Sequence, residues 1–198
     1  EIGTRRGGSM KMLVDQLSID SSVNPRHRLF VSIDPYGNIP IDCTNINVTA
    51  QIPHVEVVGD KLSKEISQPL RFDYNDEMRN RVIPSLYYYV LNKGYDFRYF
   101  QMTDSEFIKR FADGIPVYHD EPRLVTDYAL VFFDGPHSND KVVEEVEFFA
   151  PRVNIGGVVV FDDVWMYDHD KLIEPILAAN GFDTLNKKTI KASYIKIQ

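Results

Sequence analysis

Apolar residues recur along this chain in two periods, and the switches between the periods mark its elements. Met10, Leu13, Val14 and Leu17 fall at helical spacing. Leu29-Phe30-Val31-Ser32-Ile33 reads as a strand, closed by the turn-forming Asp34-Pro35-Tyr36-Gly37. Residues 76–92, DEMRNRVIPSLYYYVLN, return to helical spacing, with Pro84 as a kink point and Gly94 as a stop. A strand is expected over 97–102. A helix over 104–111 follows, with Thr103 as its cap and Glu106 at the capping-box position. The second half is cleaner. Residues 128–133 form a continuous apolar run that stops at Asp134-Gly135-Pro136-His137. A helix from Ser138 or Asn139 to Phe149 places Val142, Val143, Val146 and Phe149 on one face. Gly156-Gly157 open a strand that reaches Phe161 and ends on Asp162-Asp163. A helix over 171–180 with Gly181 as its stop leads to a final strand pair, 182–185 and 193–197.

Strand and helix alternate throughout, which predicts an α/β fold. It would be a doubly wound, mostly parallel, Rossmann-like sheet with the last pair adding an antiparallel edge. Residues 38–70 break the pattern with short pieces (46–48 and 55–58) among turn residues, and the wider stretch 35–95 is expected to hold an insertion or cap. At 198 residues the chain fits one domain, 1–198. It begins on Glu1-Ile2-Gly3, which reads as the tail of a first strand cut short.

Composition narrows the function classes. The net charge of −7 argues against binding to nucleic-acid backbone, which needs basic surface. No apolar run reaches the ~18 residues of a membrane helix, so the chain is expected to bind neither nucleic acid nor membrane. The single Cys43 allows no intrachain disulfide, which fits a cytoplasmic protein.

In open α/β sheets ligands sit beyond the carboxyl ends of the strands. Glu1, Asp34, Asp104, Asp134 and the Asp162–Asp163 pair lie at such ends. Acids crowded on one rim repel, so ribose hydroxyls, backbone amides or a metal ion must offset them. The first loop, EIGTRRGGS, sets glycines just before a helix N-terminus, where free amides and the dipole favour a carboxylate or phosphate. Asp34 closes the next strand, where a carboxylate can take both hydroxyls of a ribose. Together these features point to a nucleoside-containing cofactor. Arg5 occupies the second glycine's place in G-x-G-x-x-G, which counts against NAD. Asp134, Asp162 and Asp163 end two consecutive strands, and three carboxylates suit a hard octahedral ion such as Mg²⁺, which can lower the pKa of a substrate hydroxyl.

EIGTRRGGS, SID, TDS, FFDGPHS and GGVVVFDDV, in that order, resemble the class I S-adenosylmethionine-dependent methyltransferases. Within that class the chain is similar to the metal-dependent O-methyltransferases of the macrocin type, which modify sugars in antibiotic pathways. The catechol O-methyltransferases share the pattern more distantly. The resemblance implies that Glu1, Gly3 and Ser9, with Thr4 and Gly7 of the same loop, line the methionine part of S-adenosylmethionine. It implies Asp34 at the ribose, Asp104 and Ser105 at the adenine, and Asp134, Asp162 and Asp163 as ligands of Mg²⁺ or another hard divalent cation, Asp134 also bordering the cofactor. A lysine acts as general base in the catechol enzymes three residues after the first metal aspartate, and His137 stands there. Imidazole can do that work near neutral pH.

The expected reaction is methyl transfer to a hydroxyl of a small-molecule acceptor. Alternatives are a methyltransferase-fold protein linked to hydroxylation, of the cephalosporin hydroxylase kind, and a non-catalytic nucleotide-binding domain. A homo-oligomer stays open. Each residue also has a plainer role. Gly7-Gly8 can be an ordinary turn, Asp34-Pro35 a turn opening, and Asp162–Asp163 a cap for the following amides. His137 can bond a neighbouring backbone group.

Overall fold

The computed structural model describes residues 1–19, 28–36, 76–118 and 122–198. Most of the expected cap region, 37–75, lies outside the described residues. Contacts divide the described chain into two compact units. One holds Glu1 and the residues from 3 to 103, the other Ile2 and the residues from 104 to 198.

In the first unit α1 (Gly8–Ile19) is followed by β1 (Leu29–Ile33), α2 (Asp76–Asn92) and β2 (Asp96–Phe100). β1 and β2 pair in parallel, from Leu29 opposite Asp96 to Ile33 opposite Phe100. α2 runs on through Pro84, which sits on its exposed face, and Gly94 follows at φ 83° as the expected stop. Val82, Leu86 and Val90, at four-residue spacing, pack with Met10 and Val14 of α1 and with Tyr95 and Phe97. Each such fully buried side chain contributes roughly 1.5–3 kcal/mol.

The second unit contains α3 (Asp104–Arg110), β3 (Ile115–Tyr118), β4 (Pro122–Val125), β5 (Tyr128–Phe133), α4 (Asn139–Phe149), β6 (Val153–Phe161), α5 (Glu174–Ala179), β7 (Phe182–Lys187) and β8 (Ala192–Lys196). Its sheet has the order β5-β6-β8-β7. β5 and β6 run parallel, and β8 is antiparallel to both β6 and β7. The last pair thus lies together at one edge of the sheet, as the sequence pattern placed it, with β8 inside and β7 outermost. Ile2, buried beside the sheet, makes a parallel bridge to Phe133. The core is aromatic: Phe133 stacks on Phe161 at 4.6 Å, and Phe149 packs edge-on to Phe133.

Three departures from the sequence pattern have local causes. β3 and β4 form an antiparallel hairpin that the pattern did not announce, because Pro116 and Pro122 interrupt short runs with outward polar positions. β6 begins at Val153 rather than at the glycines. Tyr128 pairs with Val153 but Leu130 with Val158, so Asn154–Gly157 is taken up in a bulge. A Cβ on Gly157 would lie 2.7 Å from Val153 Cγ1, and Gly156 has φ 80°. Finally, the expected helix over 171–180 is a wide π turn, His169–Ile173, ahead of α5, with Pro175 in the first helical turn where its missing N–H does no harm.

Candidate functional site

Four described non-glycine residues have positive φ: Arg5 (45°), Tyr36 (43°), His137 (47°) and Asp163 (48°). Left-handed backbone costs a non-glycine residue about 1–2 kcal/mol, and such strain concentrates where a side chain must be aimed. All four lie in the loops that the sequence singled out.

Arg5 and Tyr36 belong to the first unit. The loop between Ile2 and α1 turns left-handed at Gly3 (φ 83°), Arg5 and Gly7 (φ 71°). Gly3 N–H donates to Ile33 O, and Ile33 N–H donates to Glu1 O, so the loop continues from a segment lying along β1. Ser32 Oγ donates to Glu1 Oε2 at 3.2 Å and also bonds Thr4 Oγ1, which is buried. Gly7 is required twice over, since a Cβ there would also come 2.8 Å from Leu86 Cδ2. Among the described residues nothing lies within 4 Å of where a Cβ of Gly8 would stand, and Gly8 and Ser9 open α1. Asp34 is buried. Its Oδ2 accepts the Arg5 N–H at 3.0 Å and its Oδ1 the Tyr36 N–H at 2.9 Å. The carboxylate thus binds the loop to the end of β1.

His137 and Asp163 belong to the second unit, where they meet Asp134. Asp134 ends β5, with its N–H donating to Ile2 O. Gly135 follows because a Cβ there would lie 2.9 Å from Glu145 Oε1 and 3.0 Å from Ile2 Cγ2. His137 Nε2 then lies 3.5 Å from Asp134 Oδ1 and 3.8 Å from Asp163 Oδ2. One donor atom from each of the three falls within 4.8 Å of the others. Two carboxylates and an imidazole at that separation suit a divalent cation in their chemistry and reach. The His137 ring lies parallel to that of Tyr167, with centroids 6.4 Å apart.

Asp162 stands outside this group. Its Oδ2 accepts from Lys191 Nζ at 2.7 Å and its Oδ1 from the Asp163 N–H at 2.9 Å. The three-aspartate set expected from the sequence thus appears as two aspartates with His137, and Asp162 is turned to a lysine that sequence spacing could not place beside it.

Asp104 and Ser105, at the start of α3, face α4. Ser105 Oγ donates to Glu144 Oε2 at 2.7 Å and accepts from Lys141 Nζ at 2.6 Å. Asp104 Oδ2 and both oxygens of Glu145 are buried without a hydrogen-bond partner. Burial, and secondly the Asp104 carboxyl beside it, push the Glu145 carboxyl well above the usual carboxylate range. The protonated form of Glu145 is therefore favoured, and its proton can be shared with Asp104. The signal for Glu145 was present in the sequence: it sits between Val142, Val146 and Phe149 on an otherwise apolar stripe.

A second buried polar group lies behind the sheet. His169 Nε2 bonds the Tyr194 hydroxyl at 2.8 Å, and that hydroxyl donates to Glu174 Oε1 at 3.0 Å. Burial pushes His169 down to about 4, against the opposing pull of Glu174 and Asp170.

A family model described as a methyltransferase domain matches residues 1–164. Among solved structures, the chain is similar to the calicheamicin methyltransferase CalS11 (14% identity, TM-score 0.52, covering 98% of this chain and 70% of that one). It is similar also to the O-methyltransferase NovP (15% identity, TM-score 0.53, covering 100% of this chain and 70% of that one). No curated protein matches the sequence. At these identities the likeness shows the fold, and the α/β, Rossmann-like architecture expected from the strand–helix alternation is the one these structures share.

Proposed function

Because the chain belongs to the methyltransferase domain family, we propose that it moves a methyl group from S-adenosylmethionine to a hydroxyl of a small molecule, with the help of a divalent cation. The observation that carries this reading is the convergence of Asp134, His137 and Asp163, two of them held at left-handed φ. When bound, the sulfonium cofactor supplies the electrophilic methyl group, and Mg²⁺ or another hard divalent cation supplies a Lewis acid.

The chain's own residues then have distinct tasks. The left-handed loop from Gly3 to Gly7 and the N-terminus of α1 suit the carboxylate of the methionine part, because the first amides of a helix lack internal acceptors. Asp34, buried where β1 meets this loop, would take the ribose hydroxyls. Asp134 and Asp163 hold the cation. His137 takes the proton from the acceptor hydroxyl, and Tyr167 keeps its ring parallel to that imidazole. Asp162 holds Asp163 in place through its N–H. The macrocin type, and a sugar hydroxyl in a natural product as acceptor, are the finer assignment supported by the quoted motifs. The two similar structures, a calicheamicin methyltransferase and an O-methyltransferase, support it.

The test is S-adenosylhomocysteine release on a panel of hydroxylated sugars, with and without Mg²⁺, for the wild-type chain, His137→Gln and Asp163→Asn. If His137 is the base, His137→Gln keeps cation binding and loses about 10²–10⁴ in rate, whereas Asp163→Asn loses both. Turnover by the wild type that is indifferent to chelator would remove the cation from the proposal. Loss of cation binding in His137→Gln would recast His137 as a ligand.

A further inference from the structure

The two neighbouring aspartates at the end of β6 are treated oppositely by their surroundings. Asp162 gives Oδ2 to the ammonium of Lys191, which cancels its charge locally. Asp163 Oδ1 instead accepts the indole Nε1–H of Trp165 at 3.2 Å, while its Oδ2 faces His137. Trp165 lies in the 3₁₀ turn Val164–Met166, which Asp163 itself caps from left-handed backbone and which the Met166 N–H closes on Asp163 O at 2.9 Å. Short backbone spacing therefore brings the indole back over the carboxylate that precedes it.

An indole N–H only donates and carries no charge. It can fix which way a carboxylate points without neutralising it, which Lys191 cannot do for Asp162. We infer that Trp165 is a positioning residue for the cation group: it occupies Oδ1 of Asp163 and leaves Oδ2 turned toward Asp134 and His137. The inference rests on the reading of Asp134 and Asp163 as the residues that hold the cation, with His137 beside them. Hydrogen bonds to the ligand atoms' own groups set ligand orientation, and losing one typically costs 10–100-fold in metal affinity.

Trp165 is also the chain's one tryptophan, so its fluorescence reports the site without a label. The experiment uses Mn²⁺ as probe, followed by loss of the free-ion electron paramagnetic resonance signal and by quenching of Trp165. The full chain is compared with Trp165→Phe and with a chain in which the tryptophan is replaced biosynthetically by 3-benzothienylalanine. That isostere keeps the ring's shape and lacks the N–H, so a folding defect in the phenylalanine variant cannot stand in for the result. The expectation is quenching in the wild type and a dissociation constant raised about 10–100-fold in both variants. Mn²⁺ binding of wild-type strength in the benzothienyl chain would overturn the role of Trp165 and leave the cation site standing. Absence of Mn²⁺ binding in the wild type would overturn both.

Discussion

A carboxyl group on the apolar face of a helix must keep its proton or be solvated, and the surroundings of Glu145 favour the first option. It is buried, both its oxygens lack partners, and it faces another acid, Asp104. Its raised pKa means that the folded chain holds a proton which the unfolded chain releases above about pH 4.5. Stability from this group is therefore full at lower pH and is lost as pH rises from there through the folded pKa. Glu145→Gln removes the titration while keeping size and a donor for Asp104. Thermal melts should show the variant gaining over wild type as pH climbs from 5 to 8, by on the order of 1–3 kcal/mol, or about 2–4 °C per kcal/mol for a chain of this length. A pH-independent difference between the two proteins would mean that Glu145 is ionised in the fold and that its charge is met in some other way. The same residue-scale logic separates Asp162 from Asp163. Adjacent and chemically identical, they differ in surroundings: one meets an ammonium and the other an indole.

Among elements, the glycine loop ahead of α1 carries the sharpest demand on sequence. Gly7 has φ 71° and no room for a Cβ beside Leu86, whereas Gly8, the first residue of α1, has open space. Gly7→Ala should cost about 2–4 kcal/mol, combining left-handed strain with overpacking, and weaken S-adenosylhomocysteine binding by calorimetry. Gly8→Ala should be neutral or slightly stabilising, because alanine suits a helix start better than glycine does. Equal urea midpoints for the two variants would show that the loop relaxes freely. What could be read from sequence divides in the same way. Elements dictated by local pattern were legible to the residue: β1, β5 and α2 ran where periodicity put them, and α2 kept its path through Pro84 because that proline faces outward. Elements dictated by pairing were not. The bulge at Asn154–Gly157 exists because β6 must stay in register with β5, and the internal place of β8 depends on partners far away in the chain. The candidate site follows the same rule. Asp134 and Asp163 could be named from strand ends and His137 from the resemblance to the catechol enzymes, but Lys191, which takes Asp162 out of the group, is 29 residues away on the approach to β8.

For the molecule as a whole, a net charge of −7 makes any cation mildly stabilising through relief of self-repulsion, so a cation effect must be separated from screening before it counts as a site. Screening depends on ionic strength and hardly on which residue is mutated. Site binding depends on Asp134 and Asp163 and saturates. A divalent ion present at ~100 times its dissociation constant adds about 2.7 kcal/mol to the folded state, or roughly 5–10 °C at this chain length. Melting curves in MgCl₂ and in NaCl of equal ionic strength should therefore part by that amount for the wild type. They should coincide for Asp163→Asn, which keeps shape but loses a charged ligand. Asp162→Asn should behave like the wild type in the Mg²⁺ increment, since Lys191 already holds its partner carboxylate. If Asp162→Asn abolishes the increment as completely as Asp163→Asn does, then Asp162 leaves Lys191 to join the cation, and the ligand set is the three aspartates that the sequence alone implied.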